Sequence, residues 1–137
     1  MSNRADKATK IFSVNCNCAQ STLVAFSDLT GLDDLPAYRL SSSLGGGIGG
    51  MKGICGALTG SMLAAGLIKG YGYAPANEDK KAHNALIANL AKKFEAEFGS
   101  VDCGPLLDKN EADGLPKESR PCTRYVRYAV ESLEEEL

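Results

Sequence analysis

The sequence has no long hydrophobic run, no excess of basic charge and almost no signal for β-strands. Lysine and arginine total 15 against 17 aspartates and glutamates, which gives a net charge of −2. Without a basic stripe to neutralise phosphates, we do not expect nucleic acid as a partner. The first ten residues lack the apolar core of a signal peptide. The uncharged stretch between Lys52 and Lys69 is Gly-rich and slightly short of a bilayer span. We therefore expect a cytoplasmic protein without a membrane span.

The scarcity of β-branched residues and of alternating apolar runs predicts an all-α fold. We expect one domain over residues 1–137, a compact bundle of about five to six helices with a Gly-rich loop before a central buried helix. The clearest helix is predicted over Asn77–Phe98, where apolar residues recur every three or four positions and Gly99 supplies a C-cap. Other helices are predicted at about 3–12, from Asn15 or Asn17 to near Gly31, and at 35–42 and 55–69. A short helix is predicted to begin at Cys103, and the last one to run from Pro121 to near the end. The segment between them, DKNEADGLPKESR (108–120), is predicted to be a polar loop.

Small residues recur at every fourth position of the predicted central helix. Gly56, Gly60 and Ala64 make a smooth face on which another helix can pack closely. The spacing is best known from membrane helices, but the same geometry serves a soluble core or a homodimer. The Gly45–Gly50 segment spells GxGxxG, yet no strand precedes it, so the context of a dinucleotide site is missing. His83 is the single histidine, and its place on an apolar helix stripe predicts a core residue.

The five cysteines do not form a common metal module. There is no CxxC pair, which argues against zinc ribbons and fingers. There is also no CxxCxxC run of a bacterial ferredoxin and no CxxCH for covalent haem. An odd number of cysteines in a reducing compartment still favours metal binding or thiol chemistry over structural disulfides. The five are Cys16, Cys18, Cys55, Cys103 and Cys122.

Four of these cysteines fall at or near predicted helix starts. Cys18, Cys55, Cys103 and Cys122 each open, precede or lie in the first turn of a helix. A helix N-terminus presents unpaired N–H groups and the positive end of the dipole, so we expect the thiol pKa to be lowered there. Convergence of the four helix starts would create a pocket suited to an anionic, sulfur-rich centre.

The ordered set of four cysteines resembles the C_GCAxxG_C_C family of redox-active proteins. CGALTG, residues 55–60, fits the family's CGAxxG motif, and NCAQS, residues 17–21, is similar to the segment around its first cysteine. Its third cysteine follows a helix that ends in Phe-Gly, as Cys103 does here, and its fourth opens the last helix, as Cys122 does. The resemblance covers nearly the whole chain.

The resemblance implies a redox role. A related domain in split-Soret cytochromes is linked with an iron–sulfur cluster, so it implies electron transfer with an unidentified partner protein through a cluster, most simply [2Fe–2S], held by Cys18, Cys55, Cys103 and Cys122. Two alternatives stay open: a cluster-free oxidoreductase in which two of these cysteines cycle between dithiol and disulfide, and a non-catalytic zinc or partner-binding helical module. Cys16 lies outside the family pattern and is predicted to be a spare buried thiol, with a resolving or alternative-ligand role as the other reading.

Overall fold

The computed structural model describes residues 3–137, and that part of the chain is built from helices. The predicted all-α class is confirmed: the described residues form no strand beyond a single antiparallel bridge between Ile54 and Asp102. None of their helices is long and apolar enough to cross a membrane. Within this range there are eight α-helices and two short 3-10 turns, Ser42–Leu44 and Lys117–Ser119. The helices are α1 (Asn3–Ser13), α2 (Cys18–Val24), α3 (Ser27–Thr30), α4 (Asp34–Ser41), α5 (Gly56–Lys69), α6 (Asn77–Phe98), α7 (Cys103–Ala112) and α8 (Thr123–Glu135).

Helix α5 is the centre of the bundle, and it packs against α2, α6 and α8, while α1 packs against α8. Gly60 permits the close approach of α2, because a Cβ there would collide with Thr22 Oγ1 and lie 2.5 Å from the Ala19 carbonyl oxygen. The small-residue face predicted from the sequence therefore packs against α2 of the same chain, inside its core. Aromatic rings of α6 and α8 fill the other side, with Phe98 and Tyr125 centroids 4.7 Å apart.

Three predicted boundaries differ from the structure. The helix expected to continue to Gly31 is broken after Val24 into α2 and α3, and Gly31 then ends α3 with a φ of 71°. Helix α7 continues to Ala112, through the first residues of the segment predicted to be a polar loop. Its exposed face accounts for the polar sequence, since only Leu106 and Asn110, four residues apart, are buried on its inner side. The last helix begins at Thr123, two residues later than predicted.

The Gly-rich segment before α5 is a left-handed turn. Gly46, Gly47, Gly49 and Gly50 have φ between 57° and 74°, and the non-glycine residues Ile48 and Lys52 share that conformation. The turn is closed by backbone hydrogen bonds, among them Lys52 N–H to Gly46 O at 2.9 Å and Gly53 N–H to Gly47 O at 2.9 Å. L-residues other than glycine rarely adopt this region, and for a β-branched residue it is an outlier.

Candidate functional site

The four cysteines predicted at helix starts do lie there. Cys18 and Cys103 are the first residues of α2 and α7, and Cys55 and Cys122 are the N-cap residues of α5 and α8. The start of α2 is fixed by a capping box, in which Asn17 Oδ1 accepts from the Gln20 backbone N–H at 2.8 Å and the Gln20 side chain accepts from the Asn17 N–H at 2.9 Å.

Backbone contacts bring these helix starts together. The bridge between Ile54 and Asp102 aligns the segments before α5 and α7: the Cys55 N–H donates to Val101 O at 2.8 Å, and the Cys103 N–H donates to Gly53 O at 2.7 Å. On the other side, a Cβ at Gly56 would lie 3.3 Å from Cys18 Cβ. Glycine at that position lets α2 approach the start of α5.

The Gly-rich turn packs directly on Cys103. A Cβ at Gly47 would lie 2.8 Å from Cys103 Cβ and 2.5 Å from the Gly53 nitrogen. Any larger residue at position 47 would therefore displace the turn or the cysteine. This contact gives the Gly-rich segment a structural role at the cysteine site.

Cys18 and Cys122 are neighbouring thiols whose pKa values shift in opposite directions. Interaction with the Cys122 side chain raises the pKa of Cys18 well above its ordinary value, with burial acting in the same direction. The same interaction lowers the pKa of Cys122 to about 7, helped by the Asn110 amide and the positive charges of Arg124 and Arg120. One thiol of the pair is thus predisposed to be the thiolate and the other to keep its proton.

The other two thiols are less acidic than a free cysteine. Burial raises the pKa of Cys55 to about 12, although the backbone N–H groups of Ala57 and Leu58 at the start of α5 act against it. Burial also raises the pKa of Cys103, and the charge of Cys122 adds to the effect. The expectation that helix starts would lower every thiol pKa is wrong for Cys18, Cys55 and Cys103. At Cys55 and Cys103 desolvation of the thiolate outweighs the helix-end field, and at Cys18 the interaction with Cys122 is the first cause, with desolvation adding to it. The pKa of Cys122 is lowered as expected, but its side-chain neighbours cause the shift.

Asn110 is a site residue that the sequence did not reveal. Its Nδ2 donates to Cys122 Sγ at 3.4 Å, and its side chain is among the few polar groups that are fully buried. Asn110 lies in the segment predicted to be a loop, where an asparagine is typical of a turn. The four-residue step from Leu106 to Asn110 was the available signal, since it places both on one face of a helix.

Neither Cys16, predicted to be a spare buried thiol, nor His83, predicted to be a core residue, is fully buried. Cys16 is partly exposed and close enough to Tyr38 of α4 that its charge adds to the effect of burial in raising the pKa of that tyrosine. His83 is half-buried on α6 and lines a cavity of about 950 Å³, where its ring meets Tyr71 edge-on at 5.9 Å between centroids. Its Nδ1 is buried without a hydrogen-bond partner among the described residues.

All five cysteines are free thiols. Within residues 3–137, no group of three or more His, Cys, Asp or Glu side chains is arranged to hold a metal ion.

A family model described as "Putative redox-active protein (C_GCAxxG_C_C)" matches residues 16–136. The chain belongs to the C_GCAxxG_C_C family. The family name spells its central motif with the order Gly-Cys-Ala, whereas this chain reads Cys55-Gly56-Ala57 and keeps Gly60 at the end of the motif.

Among relatives of this C_GCAxxG_C_C chain is an uncharacterized protein of Archaeoglobus fulgidus. The two are 30% identical over 125 residues, which cover 84% of this chain and 80% of the archaeal protein. No solved structure was found to match the chain. The family assignment establishes a redox-active cysteine protein, and the helix-start cluster is where this chain concentrates its thiols.

Proposed function

We propose that the cluster of Cys18, Cys55, Cys103 and Cys122 is the redox centre of the protein, and that Cys18 and Cys122 are its reacting pair. The observation that carries this proposal is the side-chain interaction between these two thiols, which shifts their pKa values in opposite directions. Neighbouring thiols that interact in this way are suited to form a disulfide with each other. The split in acidity assigns the first attack to Cys122, because the thiolate is the nucleophile in thiol–disulfide exchange.

The exchange proceeds in two balanced steps with a partner disulfide as oxidant. The Cys122 thiolate attacks one sulfur of that disulfide, a new S–S bond forms, and the partner's other sulfur leaves with the electron pair of the broken bond and takes up a proton. Cys18 then loses its proton to water and attacks the Cys122 sulfur, which releases the partner's second thiolate. The Cys122 thiolate and the Cys18 thiol of the chain end as a disulfide, and the partner disulfide ends as one thiol and one thiolate.

The test is a redox titration of the full-length protein in glutathione buffers, read by mass spectrometry of the peptides. We expect a reversible two-electron transition with loss of two hydrogens and a link between Cys18 and Cys122. Cys122→Ser should abolish it, whereas Cys16→Ser, which alters a thiol outside the cluster, should leave it intact. Absence of any intramolecular disulfide under mild oxidation would contradict the proposal.

A second candidate function is electron transfer through an iron–sulfur cluster, favoured by the donor set. Such clusters are held by four cysteine thiolates, and four thiols are gathered at helix starts here, with the Asn110 N–H directed at one sulfur. The donors match the group in number and type, but among the described residues they are not arranged to hold a metal ion as they stand. Cys18, Cys55, Cys103 and Cys122 would hold the cluster after moving closer together. When bound, the cluster would supply one-electron transfer.

Anaerobic iron and sulfide analysis distinguishes the two functions. A cluster predicts a brown protein containing iron and inorganic sulfide, both lost in Cys55→Ser and retained in Cys16→Ser. A colourless, iron-free protein after anaerobic purification and reconstitution would eliminate the cluster and leave the dithiol couple.

A further inference from the structure

The side chain of Asn110 is enclosed between α7 and α8 beside the cluster. The residue is 3% exposed. A primary amide has two N–H donors and an acceptor oxygen, and in a buried place these groups need partners. Every partner of this amide comes from the first residues of α8 or the turn before it: Cys122, Arg124 and Tyr125.

These partners fix which way the amide faces. Asn110 Oδ1 accepts from Arg124 Nε at 3.2 Å and Nη2 at 2.7 Å, and Tyr125 Oη lies 2.7 Å from it. Tyr125 Oη is also 2.8 Å from Leu106 O, and its single proton serves one of these two oxygens. A flipped amide would turn its N–H groups toward the guanidinium, donor against donor. The observed orientation therefore directs Nδ2 at Cys122 Sγ, 3.4 Å away.

The Arg124 guanidinium on the oxygen side of the amide is held in place and carries a positive charge. Arg124 Nη1 pairs with Asp113 Oδ2 at 3.0 Å, and the guanidinium lies 5.1 Å from the centre of the Tyr125 ring. A cation on the oxygen side of an amide polarises its N–H and makes it a stronger donor. The Cys122 sulfur thus faces a donor whose amide is held in place by Arg124 and Tyr125.

We infer that Asn110 is a positioning residue for the redox centre, whose N–H holds the Cys122 sulfur in place and stabilises its reduced, anionic form. This inference rests on the proposed role of Cys122 as a redox thiol. A hydrogen bond from an N–H group stabilises a negatively charged sulfur more than a neutral disulfide sulfur. The contact therefore raises the reduction potential of the centre, and its loss shifts the equilibrium toward the oxidised form.

Two substitutions separate loss of the donor from change of charge. Asn110→Asp keeps the size of the side chain and the oxygen that faces Arg124 and Tyr125, but places an oxygen in front of the sulfur. Asn110→Leu removes the donor without adding charge. In full-length protein equilibrated with glutathione buffers, we expect both to favour the Cys18–Cys122 disulfide by about tenfold, which is about 30 mV for a two-electron couple. Glu111→Gln, an exposed neighbour on α7, should leave the equilibrium unchanged.

Alkylation of the reduced protein gives a second readout that does not depend on redox function. Each variant is treated with iodoacetamide at one pH, and modification of Cys122 is compared with that of Cys16 in the same chain. We expect the relative rate at Cys122 to fall about fivefold or more in both variants, because fewer of the Cys122 thiols are ionised. Both variants at the wild-type relative rate and the wild-type equilibrium would overturn the inference. A wild-type chain that forms no reversible disulfide, but whose Cys122 alkylation still depends on Asn110, would refute the proposed function and support only the part of the inference in which the Asn110 N–H stabilises the Cys122 thiolate.

Discussion

At the scale of single residues, the thiols of the cysteine cluster differ in acidity. The pKa of Cys122 is lowered to about 7, first by its interaction with Cys18, and that of Cys55 is raised to about 12 by burial. Both thiols stand at the N-cap of a helix, so the helix end alone does not account for the difference. What separates them is the deeper burial of Cys55 and the positive charges of Arg124 and Arg120 near Cys122, since two hydrogen bonds act on each thiol.

This difference predicts a pH-dependent selectivity of modification. Since the thiolate is the reactive form, alkylation of Cys122 should rise with pH and reach half its maximal rate at about pH 7. Cys55 should stay unreactive until the solution is strongly alkaline. Mass spectrometry of iodoacetamide-treated, reduced protein over a pH series would measure both. Equal reactivity of the two thiols at neutral pH would contradict the assignment of Cys122 as nucleophile.

Ile48 is the most strained residue of the Gly-rich turn. It has a φ of 67°, where a left-handed conformation costs roughly 1–2 kcal/mol for a residue with a Cβ. Glycine removes that cost but loses more entropy on folding. We expect Ile48→Gly to raise the free energy of unfolding by up to about 1 kcal/mol in denaturant titrations. Met51→Gly, at a position of the same turn without positive φ, should lower it.

At the scale of elements, the packing of α2 on α5 determines whether the cluster forms. Cys18 begins one of these helices and Cys55 caps the other, and the two helices meet at Gly56 and Gly60. A change in their separation would move Cys18 away from Cys55, and it would also disturb the Cys18–Cys122 pair.

Two glycines of α5 give a matched test of this packing. Gly60→Ala should destabilise the protein by about 1–3 kcal/mol, because its Cβ would overlap α2. Gly66→Ala lies in the same helix with nothing within 4 Å of the added Cβ. It should stabilise the protein by roughly 0.5–1 kcal/mol through helix propensity. Denaturant titration measures both, and a harmless Gly60→Ala would mean that α2 and α5 do not pack closely.

For the whole molecule, the buried thiols make the stability of the folded protein decrease at alkaline pH. A thiol whose pKa is raised by folding contributes stability that is fully present below its unfolded pKa, about 8.5, and is lost as pH rises through the folded value. Burial raises the pKa of Cys55, and Cys18 and Cys103 shift in the same direction. Cys122 shifts oppositely, and its contribution is lost as pH falls through about 7.

The reduced protein should therefore lose stability between about pH 8 and pH 10.5. We expect the free energy of unfolding to fall by about 1–2 kcal/mol more in wild type than in Cys55→Ala over this interval. Cys16→Ser, which leaves the buried thiols in place, should follow the wild-type slope. Parallel slopes for wild type and Cys55→Ala would show that Cys55 ionises as easily in the folded chain as in the unfolded one.

The sequence by itself determined the helical class, the bounds of α6 and the place of four cysteines at helix starts. These features depend on local patterns: apolar residues three and four apart, an asparagine cap at Asn17, and a glycine after Phe98. The ordered spacing of the cysteines also sufficed to suggest the family. Each of these signals involves residues close together in the chain.

Only the tertiary structure decided which thiols meet and how acidic each one is. The Cys18–Cys122 pair joins residues more than a hundred positions apart, and the burial that raises the pKa of Cys55 comes from several helices at once. The role of Asn110 could not be predicted from the sequence for the same reason. Its partners lie at the start of α8, and a polar residue in a polar segment is typical of a loop. A thiol's pKa depends on the solvent and charge around it, and no local sequence pattern specifies that environment.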